Sequence, residues 1–84
     1  MQLEQKKIIQ YALQFDIKNI HTYSGYKGGL VLKITTSKAD VVNTIESYAL
    51  TLPVLEVVVK HNQLMEFEIY CITEDENIYG LKFR

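Results

Sequence analysis

One cysteine and one proline stand in this chain of 84 residues, alongside only four glycines. A single cysteine closes no internal disulfide, which argues against a small secreted scaffold stapled by bridges. So few breakers, against 48% hydrophobic and 23% charged residues, exclude a collagenous, low-complexity or disordered chain. Charge of one sign is also missing. Nine Lys and Arg against ten Asp and Glu leave a formal charge of −1, so the total points neither to a basic nucleic-acid binder nor to an acidic mimic. Apolar runs are a few residues long, too short to span a bilayer. The opening segment from Met1 to Lys7 leads into a helical pattern and does not read as a secretory signal. The composition predicts one cytoplasmic domain with a small core and no membrane association.

What is present is clear periodicity. From Leu3 to Asp16, Ile8, Ala12 and Phe15 recur on one stripe with Ile9 and Leu13 beside it, predicting a first helix. From Ile20 the period changes to two, and Ser24-Gly25-Tyr26-Lys27-Gly28-Gly29 supplies glycines for a turn. Leu30, Leu32 and Ile34 then share one face of a second strand. Setting Ile20 opposite Ile34 and Thr22 opposite Leu32 gives a consistent hairpin register. Ser37 with Asp40 three residues on resembles a capping box, predicting a helix with Val41, Ile45, Tyr48 and Leu52 on one stripe until Pro53 stops it.

The last third reads as β. Val54 to Lys60 is rich enough in β-branched residues for a strand near the middle of a sheet. His61-Asn62-Gln63 turns the chain; Met65, Phe67, Ile69 and Cys71 then alternate with Glu66, Glu68 and Tyr70. A final strand places Tyr79, Leu81 and Phe83 inward. Its best register on paper sets Cys71 against Tyr79, Ile69 against Leu81 and Phe67 against Phe83, and on the other face pairs Glu68 with Lys82 and Glu66 with Arg84. The fold class expected is α+β: a two-layer sandwich in the order α-β-β-α-β-β-β, its sheet mostly antiparallel and both helices on one face. The first six elements match a circular permutation of the split β-α-β plan in topology.

Chemistry is sparse. His21 and His61 lie 40 positions apart, and Cys71 falls on an apolar face, so no zinc-type spacing arises and neither a metal nor a cofactor is expected. The run Glu74-Asp75-Glu76-Asn77 reads as a solvated loop. It lacks the alternating oxygen ligands and glycine of a calcium loop. Opposite charges beside Glu66 and Glu68 would hold both carboxyls low, which suits ion pairs better than acid catalysis. No nucleophile or base has evident partners, so the chain is read as non-enzymatic.

Two surfaces hold more than folding requires. If the inward set is Leu30, Leu32, Ile34, Leu55, Val57, Val59, Met65, Phe67, Ile69 and Leu81, the outer face of the sheet still carries Tyr23, Val31, Val54, Val58, Tyr70, Ile72 and Ile78. A solvated face normally reads polar, so these residues predict a surface for a protein partner or for a second copy as a homodimer. The alternative is nucleic-acid binding by Tyr23, Tyr26, Lys27 and Lys33, in which glycines allow close approach to a backbone and tyrosines stack on bases.

Overall fold

The computed structural model describes residues 3–24 and 29–74. Helix α1 (Leu3–Ala12) leads into strands β1 (Asn19–Ser24) and β2 (Gly29–Thr36), helix α2 (Ala39–Ala49), and strands β3 (Glu56–His61) and β4 (Phe67–Glu74). The expected strand over 79–83 lies outside the described residues. The sheet order is β1-β2-β4-β3, with every neighbouring pair antiparallel. β2 and β3 therefore run parallel to each other, joined through α2, with β4 inserted between them. That is a split β-α-β unit, as the permuted plan requires.

The register follows from which side chains must leave water. Ile20 faces Ile34 and Thr22 faces Leu32, as the alternation predicts. Across the sheet, Leu32 meets Cys71 and Val57 on one row, and Ile34 meets Ile69 and Val59 on the next. Ile8 and Ala12 of α1 and Val41, Val42, Ile45 and Ala49 of α2 close over these rows as one buried cluster. Both helices thus cover the same side of the sheet, and the fold is a two-layer α+β sandwich. Gln5 is also buried there. Its amide donates to Thr73 Oγ1 at 3.4 Å, which satisfies a polar group that would be costly to bury unpaired.

Several local expectations are corrected. α1 stops at Ala12 and not Asp16, because the chain tightens into i→i−3 hydrogen bonds from Gln14 to Tyr11 and Phe15 to Ala12. This turns Phe15 back onto the core and leaves Leu13 65% exposed. Ser37 does not cap α2. The cap position is Lys38, and Thr36 does the tying: its hydroxyl accepts from the Lys38 N–H at 3.2 Å and donates to the Asp16 carbonyl at 2.8 Å. Among the described residues β3 has one strand neighbour, β4, where the β-branched run suggested a place near the middle of the sheet. Its valines are covered by helices on one side and by neighbouring side chains on the other, so a β-branched run needs only one strand neighbour.

The largest correction concerns β4. Both its edges are occupied, Phe67–Glu74 by β2 and Phe67–Ile72 by β3. The expected pairing of Cys71, Ile69 and Phe67 with Tyr79, Leu81 and Phe83 has no edge on which to form. Met65 and Leu55 also leave the inward set, at 73% and 57% exposed. Met65 sits in the turn at φ 63°, outside the strand alternation, and Leu55 precedes β3.

Candidate functional site

The face of the sheet opposite the helices is built from the alternate residues of each strand. One row across it reads Tyr23, Val31, Ile72, Glu56; the next reads His21, Lys33, Tyr70, Val58; the third reads Asn19, Thr35, Glu68, Lys60. Among the described residues no secondary-structure element covers this face. The antiparallel pleat brings together Tyr23, Val31, Val58, Tyr70 and Ile72, five of the seven residues expected to form an interface. With Lys60 they line one open depression of about 320 Å³. Val31 forms its floor, 5% exposed between Tyr23 and Ile72. Val54 does not belong to this surface. It precedes β3 and packs against the helix-side core. Ile78 lies outside the described residues, as do Tyr26 and Lys27 of the alternative nucleic-acid set. The other two members of that set, Tyr23 and Lys33, sit on the open face.

Tyr70 is the fixed point of the depression. Its hydroxyl donates to Glu68 Oε1 at 2.7 Å, while the Lys60 and Lys33 ammonium groups lie 5.5 and 6.0 Å from its ring centroid, within cation–π range. Donation to the carboxylate and partial desolvation push the Tyr70 hydroxyl up to about 12. The same hydroxyl, then the Asn62 amide, holds the Glu68 carboxyl below its ordinary range. Lys33 Nζ adds an ion pair to Glu68 at 3.5 Å.

Glu66 is held low first by Lys18, whose ammonium stands 2.7 Å from Oε2, and next by Asn62. Among the described residues the cations beside Glu66 and Glu68 are Lys18 and Lys33; the partners expected from sequence, Arg84 and Lys82, lie outside the described residues. The expected direction of the two carboxyls stands. Lys60 and Asn62 are the residues that sequence reasoning missed. The period-two alternation that selects Val58 places Lys60 on the same face, and an Asn between two strands signals a side-chain-stabilised turn.

The remaining reactive groups lie elsewhere. His21 is on the open face, whereas His61 turns to the helix side and stacks on Phe67 with ring centroids 4.7 Å apart. Among the described residues no three of His, Cys, Asp and Glu gather as a metal site, and no helix is long and apolar enough to cross a membrane.

Protein-family models, curated proteins and solved structures give no match to this chain.

Cys71 is fully buried in the core. Burial, with a smaller contribution from Glu46, pushes its thiol up to about 12, so the nucleophilic thiolate is scarce at neutral pH. The thiol is expected to resist a thiol-reactive dye at pH 8 in the native protein and to react promptly in denaturant. Prompt labelling under native conditions would show that the β4 core opens readily.

Proposed function

We propose that this protein is a small non-enzymatic interaction module that binds a protein partner through the open face of its sheet. The supporting observation is the depression lined by Tyr23, Val31, Val58, Lys60, Tyr70 and Ile72, where apolar and aromatic side chains converge on a face that an isolated sheet would make polar. Tyrosine beside aliphatic residues is the composition that anchors interfaces, because it offers large contact area at low entropic cost. Lys60 in the lining of the depression fits a partner that presents an apolar anchor beside a carboxylate.

The test is Ile72→Lys. Ile72 is half-buried in the depression and lies opposite Glu56 of β3, so the new ammonium gains a local counter-charge and the fold is expected to persist. Binding to a protein captured by the wild-type chain is expected to fall at least about 10-fold, with the thermal midpoint nearly unchanged. Undiminished binding by the folded variant would sink this reading.

A second reading has its own observation, since Tyr23 and Lys33 share this face with Tyr70 and Lys60. Stacking faces beside ammonium groups suit a single-stranded nucleic acid. It ranks second because Glu56, Glu66 and Glu68 border the same face and Glu68 already engages Lys33. Salt-sensitive binding of a single-stranded oligonucleotide, lost in Lys33→Ala, would put it first.

A further inference from the structure

Among the described residues β3 is an edge strand, with β4 on one side and no strand on the other. The ladder fixes which of its backbone groups point outward. In an antiparallel pair, alternate residues turn both N–H and C=O toward the neighbouring strand. The register that pairs His61 with Phe67 continues to Asn62 and Glu66, and the Asn62 N–H donates to the Glu66 carbonyl at 2.9 Å. Even-numbered residues of β3 therefore bond to β4. Val57 and Val59 turn their N–H and C=O groups to the free edge.

The side chains on this edge are self-complementary. An antiparallel copy of β3 centred on Val58 sets Val58 against Val58 of the partner subunit, Glu56 against the partner's Lys60, and Lys60 against the partner's Glu56. The same register sets Val57 against the partner's Val59, so the residues with outward backbone groups are the ones that meet as hydrogen-bonded pairs. Glu56 and Lys60 fall in non-hydrogen-bonded positions, where opposed side chains approach most closely. Moving the register by two residues in either direction sets a charge against a valine and loses both ion pairs. The other edge, β1, has the sequence NIHTYS and carries no Lys, Arg, Asp or Glu to select a register. Edge strands are usually protected by charges; on β3 the two charges match those of a second copy.

We infer that the protein forms a two-fold symmetric dimer by antiparallel β3–β3 pairing centred on Val58. The two four-stranded sheets become one continuous sheet, with all helices on one side. Val58 and Lys60 line the depression and also lie on the paired edge, so the two open faces join into a single surface across the symmetry axis. The pairing uses the edge and stands whether or not the open face takes a partner.

Analytical ultracentrifugation of the full chain across a concentration series, at low salt, tests this. Wild type is expected to show a monomer–dimer equilibrium. Glu56→Lys alone and Lys60→Glu alone each set like charges together twice per dimer and are expected to weaken it about 10-fold or more. The double variant E56K/K60E carries the same Lys60→Glu change but restores opposite charges, so it is expected to recover the wild-type constant. Circular dichroism of each variant separates unfolding from dissociation, and recovery in the double variant excludes misfolding as the cause of loss. A strict monomer up to about 1 mM overturns the inference. So does a dimer that the single reversals leave unchanged, or one that the double reversal fails to restore. Tyr23→Ala distinguishes the two proposals, because Tyr23 lines the depression from β1, at the opposite side of the sheet from β3: it is expected to weaken partner binding at the open face while leaving the β3-edge dimer constant unchanged.

Discussion

Ile69→Ala is expected to destabilise the protein by about 3–5 kcal/mol in urea unfolding, with the denaturant slope unchanged. Ile69 is fully buried on β4, flanked by Ile34 of β2 and Val59 of β3 and covered by the helix layer that holds Ile8 and Ile45. Truncation removes the transfer energy of three carbons and leaves a void. That void closes poorly, because the residues around it come from three strands and two helices that would all have to move. A chain of 84 residues has a total stability of roughly 4–13 kcal/mol, so this one substitution is expected to remove a large share of it. Met65→Ala is the control. The alternation places Met65 on the same face as Ile69, yet it is 73% exposed and its truncation should stay within about 0.5 kcal/mol. A loss below about 1 kcal/mol for Ile69→Ala would mean that β4 does not carry the core.

That contrast shows which physical information the alternation holds. Period two assigns a side chain to a face, because a one-residue slip would move every apolar side chain to the wrong side. Ile20, Leu32, Ile34, Phe67, Ile69 and Cys71 are all correctly placed by this rule, and the β1–β2 register with them. It holds only while the chain is a strand. Met65, turned through a left-handed backbone angle, and Val54, ahead of β3, both fall outside it. Face parity also says nothing about neighbours. Among the described residues Glu66 and Glu68 sit beside Lys18 and Lys33, cations that parity alone does not select; Arg84 and Lys82 lie outside the described residues. Strand order depends on how α2 carries the chain back across the sheet, leaving a gap that β4 fills, and no pairwise matching of side chains encodes that. The open-face cluster was legible because it needs only parity: whatever the strand order, Tyr23, Val31, Val58, Tyr70 and Ile72 share one side. Their convergence into one depression depends on β4 lying between β2 and β3, which brings Tyr70 and Ile72 between Val31 and Val58.

Asn62→Ala is expected to cost about 1.5–3 kcal/mol, more than an exposed turn residue usually does. The turn from β3 to β4 is organised by this one side chain. Its Oδ1 accepts from the Leu64 N–H at 2.9 Å and from the Glu66 N–H at 3.0 Å, and its Nδ2 donates to Glu66 Oε1 at 3.1 Å and Glu68 Oε2 at 3.2 Å. The first two contacts replace backbone partners that a tight turn cannot supply. The other two hold a pair of carboxylates together on the open face, where their like charges oppose one another. Alanine removes all four contacts and leaves Glu66 to Lys18 and Glu68 to Tyr70 and Lys33. The same turn predicts a change of opposite sign. Met65 adopts φ 63°, a left-handed conformation that costs a residue with a Cβ about 1–2 kcal/mol. Met65→Gly relieves this cost but gains chain entropy when unfolded, so a net stabilisation of up to about 1 kcal/mol is expected. Urea unfolding of the two variants side by side decides the matter. If Asn62→Ala loses less than about 0.5 kcal/mol, or Met65→Gly is destabilising, then the turn does not hold the geometry that joins β3 to β4.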